Sequence, residues 1–230
     1  MSIIEIQPED IEVLGQTGYR LVNAKFPPIE LFNDVAGPEE FEALHALQAL
    51  TNPRLLNEVG DLALLPLDEI PFGIRGCHYA AAPFTHVNPD GSRFSNGDFG
   101  LLYVADNAET ALAEVRQHQS AYWTNVEGLK YDRIVFKGLH CMFDIAGGLD
   151  ITGLAANYPI YDPVDYSTAR DYGASVKQNH PQSTLQYRSV RNPESVCWAL
   201  FSPRGVTEIT QGSHYEMIWD GASLSSINKL

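Results

Sequence analysis

The 230 residues carry 44% hydrophobic and 19% charged side chains, enough apolar content for one soluble, globular core. Fifteen Lys and Arg stand against 29 Asp and Glu, a net charge of −14, so duplex phosphates are repelled and broad nucleic-acid binding is excluded. No apolar run is long enough to span a bilayer, and the opening MSIIEIQPEDIE is acidic where a secretion signal is basic. Three scattered cysteines, Cys77, Cys141 and Cys197, form no CxxC pair, which fits a reducing cytoplasm as the expected location.

In chain order, residues 1–70 hold 13 acids and 3 bases, and residues 71–230 hold 16 acids and 12 bases. The step in charge, with the Pro71/Gly73 pair, divides the chain into an acidic, partly helical N-terminal extension (1–70) and a main domain (71–230). Because charge is screened over roughly 8 Å at physiological salt, an arginine cluster in the main domain can hold a small anion. Gly37-Pro38-Glu39-Glu40 reads as a helix start, with Phe41, Leu44, Leu47 and Leu50 at helical spacing and Asn52-Pro53 as its end. Residues 84–100 are loop-like, with a turn at Asn88-Pro89-Asp90-Gly91. Gly100–Ala105 is a short strand, and Asp106-Asn107-Ala108-Glu109 opens a helix. Arg133–Phe136, Val196–Phe201 and Tyr215–Trp219 read as strands, and Asp165–Gln178 as a helix. The pattern is α+β, with a mixed core of short strands and flanking helices, not a regular βαβ repeat.

No Rossmann fingerprint, P-loop, HExxH, GxSxG or zinc spacing is present, and the seven histidines show no paired ligand spacing, so no metal is expected. Glu114 lies off the apolar stripe of its helix. It reads either as a solvated glutamate or as a carboxylate facing a cleft, where it could stabilise a sugar developing positive charge. Tyr103 reads as a half-buried core tyrosine or as a ring against a flat ligand. Arg75 and Arg93 each pass singly for surface residues; together they match the bidentate recognition of phosphates. His78 and Tyr79 follow Arg75 and either pack or line the same pocket. Ser189, between Arg188 and Arg191, is a polar turn or a hydrogen-bond donor; no neighbouring base supports it as a nucleophile.

Read in order, these pieces resemble the RES-domain family, named for its arginine, glutamate and serine. They are Arg75, the loop Gly91-Ser92-Arg93-Phe94-Ser95-Asn96-Gly97, the strand LLYVA with Tyr103, the helix ETALAE with Glu114, and YRSVR with Ser189. The resemblance covers roughly residues 70–220. It implies a fold similar to ADP-ribosyltransferase toxins and a bacterial toxin that consumes NAD as substrate. It also implies a DNA-binding Xre-like antitoxin as partner, and either degradation of NAD or transfer of ADP-ribose to a protein target. Carried over, Arg75 and Arg93 bind the pyrophosphate or orient the nicotinamide ribose, and Tyr103 packs on the nicotinamide side. Glu114 stabilises the sugar, Ser189 bonds the ligand, and His78 and Tyr79 line the site. Two departures stand out: Gly76 follows Arg75 where many members have an aromatic residue, and Ser92-Arg93-Phe94 stands where Gly-Arg-Trp is common. The competing reading is a non-catalytic module that binds a nucleotide or a partner.

Overall fold

The computed structural model describes residues 6–25, 35, 37–50 and 59–230. The strands are β1 (Glu9–Asn23), β2 (Leu102–Ala105), β3 (Asp132–Asp150), β4 (Thr184–Arg188), β5 (Val196–Leu200), β6 (Val206–Trp219) and β7 (Leu224–Lys229). The described α-helices are α1 (Pro38–Ala49), α2 (Cys77–Thr85), α3 (Ala108–Thr124) and α4 (Ser167–Asn179). The seven strands form one mixed sheet in the order β1-β2-β5-β4-β3-β6-β7, and β1 also pairs with β3. Strands β1, β2, β5, β4 and β3 therefore close a circuit, with β6 and β7 extending from β3. Among the described pairings, only β3 and β4 run parallel. This is the α+β class expected.

Strand β1, from the acidic first segment, is built into this sheet. Strand β1 runs antiparallel to β3 from Glu9↔Asp150 to Asn23↔Phe136. Charge composition reports on exposed surfaces, and it carries no information on strand pairing, so the step near residue 70 marks no break in the sheet. The expected helix start at Pro38 is found, with Glu39 and Glu40 in its first turn. The stop expected at Asn52-Pro53 lies outside the described residues.

Alternation along the strands sorts the core into two faces. Leu102 and Val104 of β2 and Trp198 and Leu200 of β5 pack with Cys77, Ala80, Ala81 and Phe84 of α2. Their neighbours Tyr103, Ala105, Cys197 and Ala199 pack on the other side with Phe94, Ala111 of α3, Ala169 and Val176 of α4, and Tyr187. β1 and β2 meet at a single register pair, Tyr19↔Ala105. Gly18 makes that meeting possible. A Cβ there would stand 2.4 Å from Val104 Cγ1 and 2.8 Å from the Ala105 carbonyl. No described helix is long and apolar enough to cross a membrane.

Candidate functional site

Beside the meeting of β1 and β2 lies a cavity of about 240 Å³, and α3 covers it. β1 lends Tyr19, Arg20 and Leu21; β2 lends Tyr103, Val104 and Ala105; α3 lends Ala111, Glu114, Val115 and His118. Ser92 and Arg93 enter from the 91–97 loop, and Tyr166, Tyr187 and Cys197 complete the wall.

The helix that presents Glu114 is well started. Asn107 is extended and its side-chain oxygen accepts from Thr110 N at 2.8 Å, so one of the otherwise unpaired first-turn amides is satisfied. One turn on from Thr110, Glu114 points at the cavity.

The arginine loop is held from three sides. The Tyr103 hydroxyl, pushed up to about 12 by burial, accepts from Phe94 N at 3.0 Å and bonds Ser92 Oγ at 2.8 Å. Arg170 of α4 donates to the carbonyls of Ser92 (3.0 Å) and Asp90 (2.8 Å). Gly173 lets the loop sit on α4, since a Cβ there would lie 2.0 Å from the Phe94 carbonyl. Arg93 itself is 8% exposed. Its Nη1 donates to the carbonyls of Asp162 (2.9 Å) and Ile160 (3.3 Å), and its guanidinium lies 4.4 Å from the centre of the Tyr166 ring.

Arg20 reaches the same cavity from β1. It donates to the Tyr103 carbonyl at 3.0 Å, and its Nε has no hydrogen-bond partner among the described residues. Neither Arg20 nor Arg93 is ion-paired there: the described ion pairs are Arg75–Glu208, Arg133–Glu216 and Arg204–Asp68. Two guanidinium charges held by carbonyls, with no carboxylate bound to either among the described residues, can attract an anion inside an acidic protein. The Cys197 thiol is pushed up to about 12 by burial, which keeps it protonated and inert. No group of three or more potential metal ligands occurs among the described residues.

Of the residues singled out in the sequence, Arg93, Tyr103 and Glu114 line this cavity. Ser189 stands behind it, donating to Glu114 Oε1 at 2.6 Å. Arg75, His78 and Tyr79 do not come to it. Arg75 precedes α2, and His78 and Tyr79 lie in its first turn, the helix packing on the other face of β2 and β5. The Arg75 side chain is 75% exposed and pairs loosely with Glu208 of β6 at 3.9 Å. The His78 and Tyr79 rings contact each other at 3.8 Å, and the Tyr79 hydroxyl accepts from Gln211 Nε2 at 2.8 Å and Lys137 Nζ at 3.4 Å. Arg191 donates to the Pro163 carbonyl at 2.7 Å, outside the cavity. Sequence reasoning missed Arg20, His118, Tyr166 and Tyr187. For Arg20 a signal existed: it is one of only three bases in the first seventy residues, set between Tyr19 and Leu21.

The model of a family described as "RES domain" matches residues 70–220. An uncharacterised protein, y4oC of Sinorhizobium fredii (strain NBRC 101917 / NGR234), is 26% identical over 211 residues, covering 90% of this chain and 84% of that protein. Among solved structures, a chain in the crystal structure of the M. tuberculosis MbcT–MbcA toxin–antitoxin complex aligns with a TM-score of 0.41 and 12% identity. That alignment covers 88% of this chain and 86% of the other.

Proposed function

Because the chain belongs to the RES-domain family, we propose that it cleaves the nicotinamide–ribose bond of NAD and passes ADP-ribose to an acceptor. We further propose that it acts as the toxin of a toxin–antitoxin pair restrained by an antitoxin protein. One observation carries the chemical reading: Glu114 shares a cavity with Arg20 and Arg93, neither of which is neutralised by a carboxylate among the described residues. Breaking the glycosidic C–N bond sends its electron pair to the nicotinamide nitrogen, which leaves neutral, so the leaving group needs no strong acid. Positive charge builds on the ribose, where a fixed carboxylate lowers the barrier. The two guanidinium groups suit the two charges of a pyrophosphate, and aromatic walls from Tyr19, Tyr166 and Tyr187 suit a flat ring. The acceptor oxygen then forms a bond to the sugar carbon, and its proton passes to solvent. Arg75, His78 and Tyr79 have no part in this reading, and Tyr103 serves chiefly to pin the arginine loop.

The test is nicotinamide release from NAD by the purified protein, followed with phosphate present, with water alone and with cell extract. Wild type releases nicotinamide, and Glu114→Gln lowers the rate at least ~100-fold while NAD still binds. Binding without release from wild type under any of these conditions leaves a nucleotide-binding module and ends the enzymatic reading. With labelled NAD, a labelled protein band identifies transfer, and soluble ADP-ribose or its phosphate identifies degradation.

A further inference from the structure

We propose that the outer face of α3 is the docking surface for a protein that receives ADP-ribose, and that it takes an acidic segment of that protein. The inference rests on the protein-transfer branch of the reading above. A shallow groove of about 580 Å³ lies over α3 and shares no lining residue with the NAD cavity. Its floor is apolar and half-buried, formed by Leu112 and Ala113 of α3 and Ile227 of β7. Its rim is cationic, with Arg116 exposed on α3 and Arg191 on the turn after β4. Neither arginine belongs to a described ion pair, and Arg191 is held through one nitrogen by the Pro163 carbonyl at 2.7 Å. Glu109, the one acid of the lining, stands in the first turn of α3, where the helix dipole favours it. Two residues beyond Ile227, on the same face of β7, Lys229 adds a further positive charge. In a chain of net charge −14, such a rim is matched by carboxylates, and the floor by an aliphatic side chain.

The groove lies where a receiving protein must stand. Ala113 and Gln117 line it, and their chain neighbours Glu114 and His118 line the cavity. Arg191 marks the border between the two. Its turn is tied to α3 by the neighbouring Asn192, whose side-chain amide donates to Thr110 Oγ1 at 3.0 Å. Its own side chain reaches the segment whose carbonyls hold Arg93. A segment seated against Arg191 and Gln117 therefore brings the rest of its protein up to the cavity. When the bond from the ribose to nicotinamide breaks, its electron pair leaves with the neutral base. A nucleophilic oxygen or nitrogen of the docked protein then bonds the sugar carbon, and its proton passes to solvent. Water or phosphate attacking the same carbon needs no such surface, which separates the two outcomes experimentally.

The test is protein labelling from labelled NAD in cell extract, read beside nicotinamide release in buffer alone. Arg116→Glu lowers labelling about 5- to 20-fold, and Ala113→Trp, which fills the floor, lowers it at least about 10-fold. Both variants keep nicotinamide release within about 2-fold of wild type. Poly-L-glutamate competes with labelling by wild type, competes about 10-fold more weakly with labelling by Arg116→Glu, and leaves nicotinamide release unchanged. Labelling that survives in both variants overturns the proposal, and so does nicotinamide release that falls in step with labelling. Poly-L-glutamate that inhibits release marks a restraining rather than a receiving partner and also overturns it. Wild type that releases nicotinamide but labels no protein ends the docking proposal and leaves NAD cleavage standing. If wild type releases none, the cleavage reading falls with the receiving role. Isothermal titration of poly-L-glutamate into wild type and Arg116→Glu then decides whether the surface takes an acidic segment.

Discussion

Arg20 and Arg75 show how little a residue type says without its place. Both are arginines beside short apolar segments, but one is enclosed at the cavity with an unpartnered Nε and the other is largely in solvent. Arg20→Ala is therefore expected to weaken NAD binding about 10- to 100-fold by isothermal titration, and Arg75→Ala to change it less than about 2-fold. Equal losses from the two would reverse the assignment. The far-face histidine carries a pH consequence. Burial, with Lys137 adding to it, lowers the His78 pKa from 6.5 to about 4. The folded state thus resists a proton that the unfolded chain accepts. The contribution of His78 is fully present above about pH 6.5 and is lost as pH falls toward 4. Urea unfolding at pH 7, 5.5 and 4.5 should show a shallower decline for His78→Gln than for wild type; parallel declines would refute it. Glu114, Arg93 and Tyr103 were each ambiguous on local signals and stood out only as members of an ordered set; the fold brings the three to one cavity. Ser189 stood out in the sequence as a candidate but its partner did not, because a hydrogen bond spanning 75 residues leaves no local trace.

At the scale of elements, those with local grammar were readable: the capped α3, the apolar β5, the strand β2 before a cap. Strand β1 was not, and its irregularities explain why. Register shifts between Ile11 and Val13 and between Val13 and Gln16 break the period-two pattern that reveals a strand. α2 hides differently, starting after a left-handed Gly76 and carrying Pro83 inside. β4 ends at Arg188, so its last residues read as part of the polar turn that follows. The contact between β1 and β2 is the weakest seam of the circuit, one register pair wide. Gly18→Ala pushes a methyl into Val104 and a carbonyl there. We expect a loss of about 1–3 kcal/mol, seen as a drop of roughly 2–10 °C in Tm by calorimetry. A variant that melts with wild type would mean that the strands part freely. Asn107→Ala, which uncaps α3, is expected to cost about 1 kcal/mol, or roughly 2–4 °C.

For the whole molecule, the closed circuit makes the first strand indispensable. Removing residues 1–25 strips β3 of its β1 partner over Phe136–Asp150, leaving it β6 and β4, and takes Arg20 from the cavity. The shortened chain is expected to be insoluble or to lack a cooperative melting transition by circular dichroism. A trimmed protein that folds and turns over NAD would instead establish residues 71–230 as a self-sufficient domain. The family match over 70–220 reads naturally as a domain boundary; strand pairing runs straight across it.

The wall of the cavity begins at Tyr19 and ends at Cys197. On a growing chain Arg20 emerges early, and the turn at Ser189 comes near the end. At roughly 5–20 residues per second, the two are separated by about 10–35 s of synthesis. Pairings of such long range are slow to close even in a finished chain. A nascent molecule therefore carries its first arginine for most of its making with nothing to hold against it. The cavity is complete only after its last wall has left the ribosome, and, on the reading proposed above, an antitoxin has that interval in which to be made.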